Sequence, residues 1–418
     1  MHPKHISIAE YSYHLPESKI AYYPLPERDQ SKLLIWNNQE IKEDIYKNIA
    51  DYLPENSLLI FNNTKVIQAR VLFKKPSGGM IELFCLEPFG TGNEYSTMMN
   101  KKGPIQWKCM IGGASKWKSG SLEKKLLINN EELILKAGLK QKLSDAYVAE
   151  FSWHPSQYTF AEVLKQAGEM PLPPYIKRKT EEADKQRYQT IYALYNGSVA
   201  APTAGLHFTP AILYDLKNKK IKTDFVTLHV GTGTFKPVKA ALLTDHQMHA
   251  EWMEISIAAI ENVLQNLQTH IIAVGTTSLR TLESLYWMGV KAYLYPEGNE
   301  EDLPIKQWDV YDAPLTDQSI DTKLALQSLL SWVTKNGKEK LIIKTQIMIV
   351  PGYQFKIAKA LVTNFHQPNS TLLLLIAAGV GEEWKKIYEY AMQNNFRFLS
   401  YGDGCLIFFP ALPLPQIR

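Results

Sequence analysis

The sequence predicts a large α/β domain carrying an inserted small antiparallel β-barrel, and three observations lead there. Apolar strand-like runs alternate with helical stretches towards both ends, a block of short β-rich segments interrupts them, and 418 residues suffice for two cores. The first α/β strand is the apolar run 58–61. The β-rich stretches that follow are 66–73, 80–86, 106–111, 125–128, 132–137 and 146–151, separated by Gly-, Asn-, Ser- and Lys-rich turns, with no helical period between them. This block, 64–153, is read as the barrel and leaves the α/β domain discontinuous over 1–63 and 154–418. Thr209-Pro210 supplies an N-cap and a first-turn proline for a helix over 211–219. Further strands are expected at 225–230, 271–274 and 347–350, with a helix after Gly275 capped by Thr277 or Ser278.

Hydrophobic residues at 45%, charged residues at 21% and a formal charge of +4 describe an ordinary soluble globular protein that permits a polyanionic partner without demanding one. Basic clusters stand at Lys74-Lys75, Lys101-Lys102, Lys116 with Lys118, Lys124-Lys125, Lys177-Arg178-Lys179, and Lys217 with Lys219-Lys220. They read either as solvated faces or, near the barrel, as a surface that tracks phosphates. Cys85, Cys109 and Cys405 lie far apart and match no paired metal-ligand spacing, so a reducing cytoplasm is expected. No apolar signal core is present near residue 1, and the longest apolar run, 372–380, is too short to span a bilayer.

Four polar loops follow predicted strands or precede helices. The run 197–209, Gly-Ser-Val-Ala-Ala-Pro-Thr-Ala-Gly-Leu-His-Phe-Thr, is almost uncharged, and its small residues let backbone approach a ligand closely. It reads as a pocket wall or as a buried connector with a satisfied histidine. The loop 229–238 has Lys236 where a dinucleotide fingerprint needs its third glycine and lacks the lysine-hydroxyl ending of a P-loop, which argues against nucleotide phosphates. In 273–280 a strand turns at Gly275 into a helix, where an anion or carboxylate fits the N-terminus with Arg280 beside it. The stretch 361–371 repeats the pattern of strand, polar loop and helix entrance. Ligands of open α/β sheets collect outside the carboxyl ends of the strands, so the four loops are expected to converge.

His207, His229, His246, His249 and His366 all lie in or beside these loops. The segment Asp245-His-Gln-Met-His-Ala-Glu251 invites a metal reading, but an extended chain puts His249 and Glu251 on one face and His246 on the other. General acid or base work suits imidazoles that titrate near neutral pH, and for each single histidine a structural hydrogen bond is the competing reading.

Taken together and in order, these segments resemble the S-adenosylmethionine:tRNA ribosyltransferase-isomerase family of the queuosine pathway. The matching residues include 20–24 with Arg28-Asp29, 63–66 with Ala69-Arg70, Gly78-Gly79 before Glu82, 168–178, Asp184 with 187–190, and 197–209. They continue through the His229 loop, 246–251, 275–283, 363–366 with Ser370-Thr371, and Arg397-Phe398 with 400–403. Asn63 stands where the family pattern usually has aspartate, Thr232 where it has a larger aliphatic residue or alanine, and Lys32 where arginine is common. A stretch of about 290–344, with Trp308, Tyr311 and a predicted helix over 321–334, replaces a short connector.

The resemblance implies an α/β domain with an inserted β-barrel and no metal or other cofactor. It also implies transfer of the ribosyl part of S-adenosylmethionine, the cosubstrate, to 7-aminomethyl-7-deazaguanine in a tRNA anticodon loop. Adenine and methionine leave, and epoxyqueuosine-tRNA is the product. The sulfonium acidifies its neighbouring carbon-hydrogen bonds, so the chemistry needs a base, an acid for adenine and donors for the opening ring oxygen. His207, His229 and Glu251 are assigned to base and acid, with Asp245 and His249 orienting them. Thr276, Thr277 and Arg280 are assigned to the methionine carboxylate, and Phe208, Phe365 and Tyr401 to stacking on adenine or the flipped base. Thr203, Asn364, His366 and Asp403 complete the expected substrate contacts, and Lys74, Lys75, Lys177 and Arg178 the expected RNA contacts. A soluble, monomeric, cytoplasmic enzyme is expected. The alternatives are a metal-dependent hydrolase using His246, His249 and Glu251, and a noncatalytic RNA-binding module.

Overall fold

The computed structural model describes residues 2–90, 95–117, 119–231, 238 and 240–410, the side chain of Ser96 excepted. Lys118, Thr232 and Lys236, singled out above, lie outside the described residues. The strongest apolar runs become the centre of a nine-stranded mixed sheet. Its order is Lys340–Thr345, Glu251–Ser256, Lys222–Leu228, Leu58–Asn62, Ile271–Val274, Ala360–Asn364, Gly404–Phe408, Lys32–Asn37 and Glu40–Ile45. The four strands from Lys222–Leu228 to Ala360–Asn364 are parallel neighbours. Leu58–Asn62 and Ala360–Asn364 are buried throughout, as strands covered on both faces must be. Because the central strands run the same way, Asn62, Leu228, Val274 and Asn364 end on one edge.

Helix Thr276–Leu294 is buried from Thr276 to Val290. It packs on helix Thr322–Lys335, which Asp321 caps through its side chain. At Gly289 a Cβ would lie 2.2 Å from the Ala325 carbonyl oxygen, so the two backbones meet where no larger residue fits. The helix predicted after Thr209-Pro210 is Pro210–Asn218, with Thr209 accepting from the Ile212 amide.

Two local expectations are corrected. Residues 347–350 form no strand: they are buried coil, and the ladder belongs to Lys340–Thr345, paired antiparallel with Glu251–Ser256. The Tyr311 hydroxyl replaces ladder partners there, donating to the Met348 carbonyl at 2.9 Å and accepting from the Val350 amide at 3.2 Å. Helix Thr276–Leu294 is not capped by Thr277 or Ser278. Its N-cap is Gly275, at φ 90°, which offers no side-chain cap to the first-turn amides. Ser278 instead donates to the Val274 carbonyl, and Thr277 accepts from Asn62.

A second, seven-stranded antiparallel sheet runs Gly168–Glu169, Arg70–Lys74, Met80–Pro88, Ile105–Gly112, Tyr147–His154, Glu131–Lys142 and Ser121–Ile128. Alternating burial, as in Arg70–Lys74 and Ser121–Ile128, gives it one apolar face and a core of its own. Helix Phe160–Ala167, opened by a capping box between Thr159 and Glu162, lays Phe160 on Trp107, Phe151 and Trp153 with ring centroids 4.9, 5.5 and 5.8 Å away. The sheet therefore curls over this helix as a half-barrel. No ladder joins its edge strands Gly168–Glu169 and Ser121–Ile128 among the described residues, and Lys124 reaches from one edge to the Ala167 carbonyl at the end of the helix (2.7 Å). Among the described residues no helix is long and apolar enough to cross a membrane.

Candidate active site

The carboxyl edge of the parallel strands is held together by Asn62. Its Nδ2 donates to the Leu228 carbonyl and to Thr277 Oγ1, at 3.0 and 3.1 Å, while its Oδ1 accepts from the Thr64 and Leu228 amides. One buried amide thus ties two strand ends to the start of helix Thr276–Leu294. A fully satisfied polar group of this kind fixes geometry at the point where three loops leave the sheet.

Three adjoining cavities, of about 60, 510 and 200 Å³, follow that edge. The first lies among Ala200–Ala204, Gly275–Thr277 and Thr363–Gln367. The second is bounded by 245–249, Glu251, Arg280 and Ile347–Ile349, and shares Thr276, Thr277 and Leu372 with the first. The third opens between the two sheets, with His229, Gly231, Trp252, Tyr95, Lys108 and Asp145, and shares His249 and Glu251 with the second. Small residues in 200–204 leave room at one end, and the helix start aims partial positive charge at the middle.

At the junction of the second and third cavities Arg280 donates from Nη1 to Glu251 Oε2, and both residues are buried. Its Nε donates to the Ile347 carbonyl at 3.3 Å, and Nη2 has no hydrogen-bond partner among the described residues. His249 and Asp245 are exposed on the same wall. His246 is half-buried, and burial followed by the nearby His249 lowers its pKa. Among the described residues no three His, Cys, Asp or Glu side chains gather as metal ligands, and the Glu251 carboxylate turns to Arg280.

His229 is locked from four sides. Nδ1 lies 3.1 Å from Thr64 Oγ1, Nε2 lies 3.4 Å from Glu254 Oε1, the Tyr95 ring stacks on it with centroids 4.9 Å apart, and a Cβ on Gly197 would fall 2.4 Å from Nδ1. Burial pushes the Glu254 carboxyl up, but hydrogen bonds from His229 and Lys340 outweigh it and hold the pKa at about 2. Ser198 bonds both Thr64 Oγ1 and the Val230 amide. Glu254, Asn62, Thr64, Ser198 and Tyr95 were missed by sequence reasoning. The available signal was a carboxylate within the otherwise apolar strand Glu251–Ser256 and polar residues closing Leu58–Asn62.

His207 borders none of the three cavities. A carbonyl only accepts, so Nδ1–H donates to the Arg28 carbonyl at 3.3 Å and Nε2 accepts from Asn364 Nδ2 at 3.4 Å. Tyr46 stacks on the ring at 4.3 Å, and burial, reinforced by the Arg397 and Arg28 charges, pushes its pKa down to about 3. Its reach into the cleft is through Asn364, which also accepts from Thr203 at 2.8 Å. His366 borders the first cavity with Nε2 2.8 Å from Thr363 Oγ1.

The three aromatic residues expected to stack are all buried. Phe208 packs edge-on against Phe61 at 4.9 Å in the core, Phe365 is fully buried between Tyr388 and Phe398, and Tyr401 donates to Asp184 at 2.9 Å. Phe208 and Tyr401 border none of the three cavities, whereas Phe365 contributes to the wall of the first. Asp403 is likewise spent: Oδ1 accepts from the Lys32 amide and Arg397 Nη2, and Oδ2 from the Arg397 amide. Of the expected RNA contacts, Lys74 is exposed, Lys75 donates to the Lys116 carbonyl, and Lys177 makes an exposed pair with Glu17 at 2.9 Å. Arg178 is committed to Asp184 through two 2.7 Å bonds and stands over the Tyr23 ring.

Fold and site together define an α/β protein whose strand-edge cleft suits a small ligand with an anionic end. The sequence profile described as "Queuosine biosynthesis protein" matches residues 8–407, and the chain belongs to that family. It is 37% identical to the S-adenosylmethionine:tRNA ribosyltransferase-isomerase of Caldanaerobacter subterraneus subsp. tengcongensis over 405 residues, 96% of this chain and 99% of the relative. The protein of the same name from Halothermothrix orenii is 35% identical over 410 residues, 96% and 100% of the two chains. The crystal structure of S-adenosylmethionine tRNA ribosyltransferase from Thermotoga maritima is 25% identical, covers 96% of this chain and 100% of that one, and superposes with a TM-score of 0.44.

Proposed function

We propose that the strand-edge cleft is where this chain carries out the reaction named for its relatives. That reaction moves and isomerises the ribosyl part of S-adenosylmethionine onto the 7-aminomethyl-7-deazaguanine of a tRNA anticodon loop, with loss of adenine and methionine. The cosubstrate occupies the second cavity, its methionine carboxylate on Arg280 Nη2 and the first-turn amides at Thr276 and Thr277. The observation that carries this placement is a buried guanidinium with one nitrogen unpartnered among the described residues, beside a helix N-terminus whose N-cap, Gly275, supplies no side-chain cap. His249, Asp245 and Glu251 line the same wall, so proton transfer at C5′ and at the departing adenine is assigned there and to His229 with its partner Glu254. His207 is a positioning residue that acts through Asn364.

The third cavity, between the two sheets, receives the acceptor base. Residues 64–153 form the inserted barrel domain in this reading, with Lys74 and Lys75 on its RNA-facing side, and Lys177 adds an RNA contact from the α/β domain. The chain works as a cytoplasmic monomer. The placement is tested by comparing S-adenosylmethionine with 5′-methylthioadenosine, which lacks the carboxylate, by calorimetry. S-adenosylmethionine should bind at least about 10-fold tighter, the scale of one charge-assisted hydrogen bond; equal affinities would remove Arg280 from the site.

A further inference from the structure

Residues 246–250 carry part of the cosubstrate wall but belong to no helix or strand. The His246 carbonyl and both backbone groups of Met248 are satisfied instead by two side-chain amides. Gln307, 9% exposed, accepts from the Met248 amide through Oε1 at 2.9 Å and donates from Nε2 to the His246 carbonyl at 2.8 Å. Gln346 donates to the Met248 carbonyl at 3.0 Å. Gln307 is itself anchored. Lys291 donates to the Pro304 carbonyl and pairs with Asp309, at 2.7 and 2.8 Å, and the Gln346 amide donates to the Ile305 carbonyl at 2.8 Å.

We infer that Gln307 is a positioning residue for cosubstrate binding, setting the path of 246–248 and so the wall that holds His246, Gln247 and His249; this rests on the placement of S-adenosylmethionine in the second cavity. A primary amide is the side chain that serves an N–H and a C=O two residues apart at once. Glutamate keeps the acceptor and shape but sets a carboxylate against the His246 carbonyl, and leucine keeps only the bulk. Glutamate leaves the part-buried His246 carbonyl unpaired, and leucine the Met248 amide as well, unless the loop moves.

The test uses the full chain with S-adenosylmethionine, and separately with tRNA, in equilibrium binding assays. Gln307→Leu should weaken S-adenosylmethionine about 10-fold and Gln307→Glu about 3-fold or more, with tRNA affinity within twofold of wild type. Should the leucine variant fail to fold, the glutamate variant decides. Unchanged S-adenosylmethionine affinity in Gln307→Glu overturns the inference, as does an equal loss for both ligands, which marks general damage. A wild-type chain that binds no S-adenosylmethionine overturns the placement itself, and the inference with it.

Discussion

Arg280 in the wall of the second cavity pairs with Glu251, which also borders the third, and among the described residues one guanidinium nitrogen has no partner. The pair is buried, so removing either charge would strand the other at a cost of about 3–5 kcal/mol. Keeping the charge while removing the fork is the informative change.

Arg280→Lys should therefore fold but lose the second point of contact for a carboxylate. S-adenosylmethionine affinity is expected to fall about 10-fold or more, and the preference over 5′-methylthioadenosine to disappear, both read by calorimetry. A variant that keeps the preference would place the carboxylate elsewhere.

Gly197 owes its identity to His229, whose ring nitrogen lies 2.4 Å from where a Cβ would stand. Gly197→Ala must displace the ring from Thr64, Glu254 or Tyr95, at about 1–3 kcal/mol of stability. The melting temperature should drop and single-turnover adenine release should slow about 10²-fold, the scale of a displaced acid or base. A destabilised variant with wild-type chemistry would confine His229 to a packing role.

His207 makes a prediction about acid stability. Its pKa falls from 6.5 to about 3 on folding, chiefly through burial, so between those values the unfolded chain binds a proton that the folded chain excludes. The contribution is complete above pH 6.5 and is lost as the pH falls towards 3, by about 1.4 kcal/mol per pH unit. Chemical denaturation of wild type and His207→Gln should show their stability difference shrinking by about 2 kcal/mol from pH 6.5 to pH 5. A difference that does not vary with pH would mean the imidazole is solvated.

Much of the architecture was legible because apolar runs and turn chemistry act locally. The strand 271–274 and the Thr209 cap appear as expected. Periodicity could not tell the buried coil 347–350 from a strand, since both bury every side chain and the ladder is replaced by partners such as Tyr311 and Arg280 from distant segments. The same limit governs the site. Loops at strand ends are visible in sequence, so Thr276, Thr277, Arg280, His249 and Glu251 could be grouped. Which histidine faces a cavity and which faces a carbonyl depends on partners such as Arg28, Asn364 and Glu254, hundreds or tens of residues away. Phe208 and Tyr401 are packed away from the three cavities while Phe365, equally buried, borders the first, a difference that proximity to a motif does not reveal.

The most direct test of the central claim is methionine release by the purified chain from S-adenosylmethionine in single-turnover conditions, with tRNA bearing the aminomethyl base and with the same tRNA unmodified. Transfer to the acceptor amine predicts stoichiometric release with the modified tRNA and none above background with the unmodified one. Equal release from both would contradict it, because the amine would then have no part in the reaction.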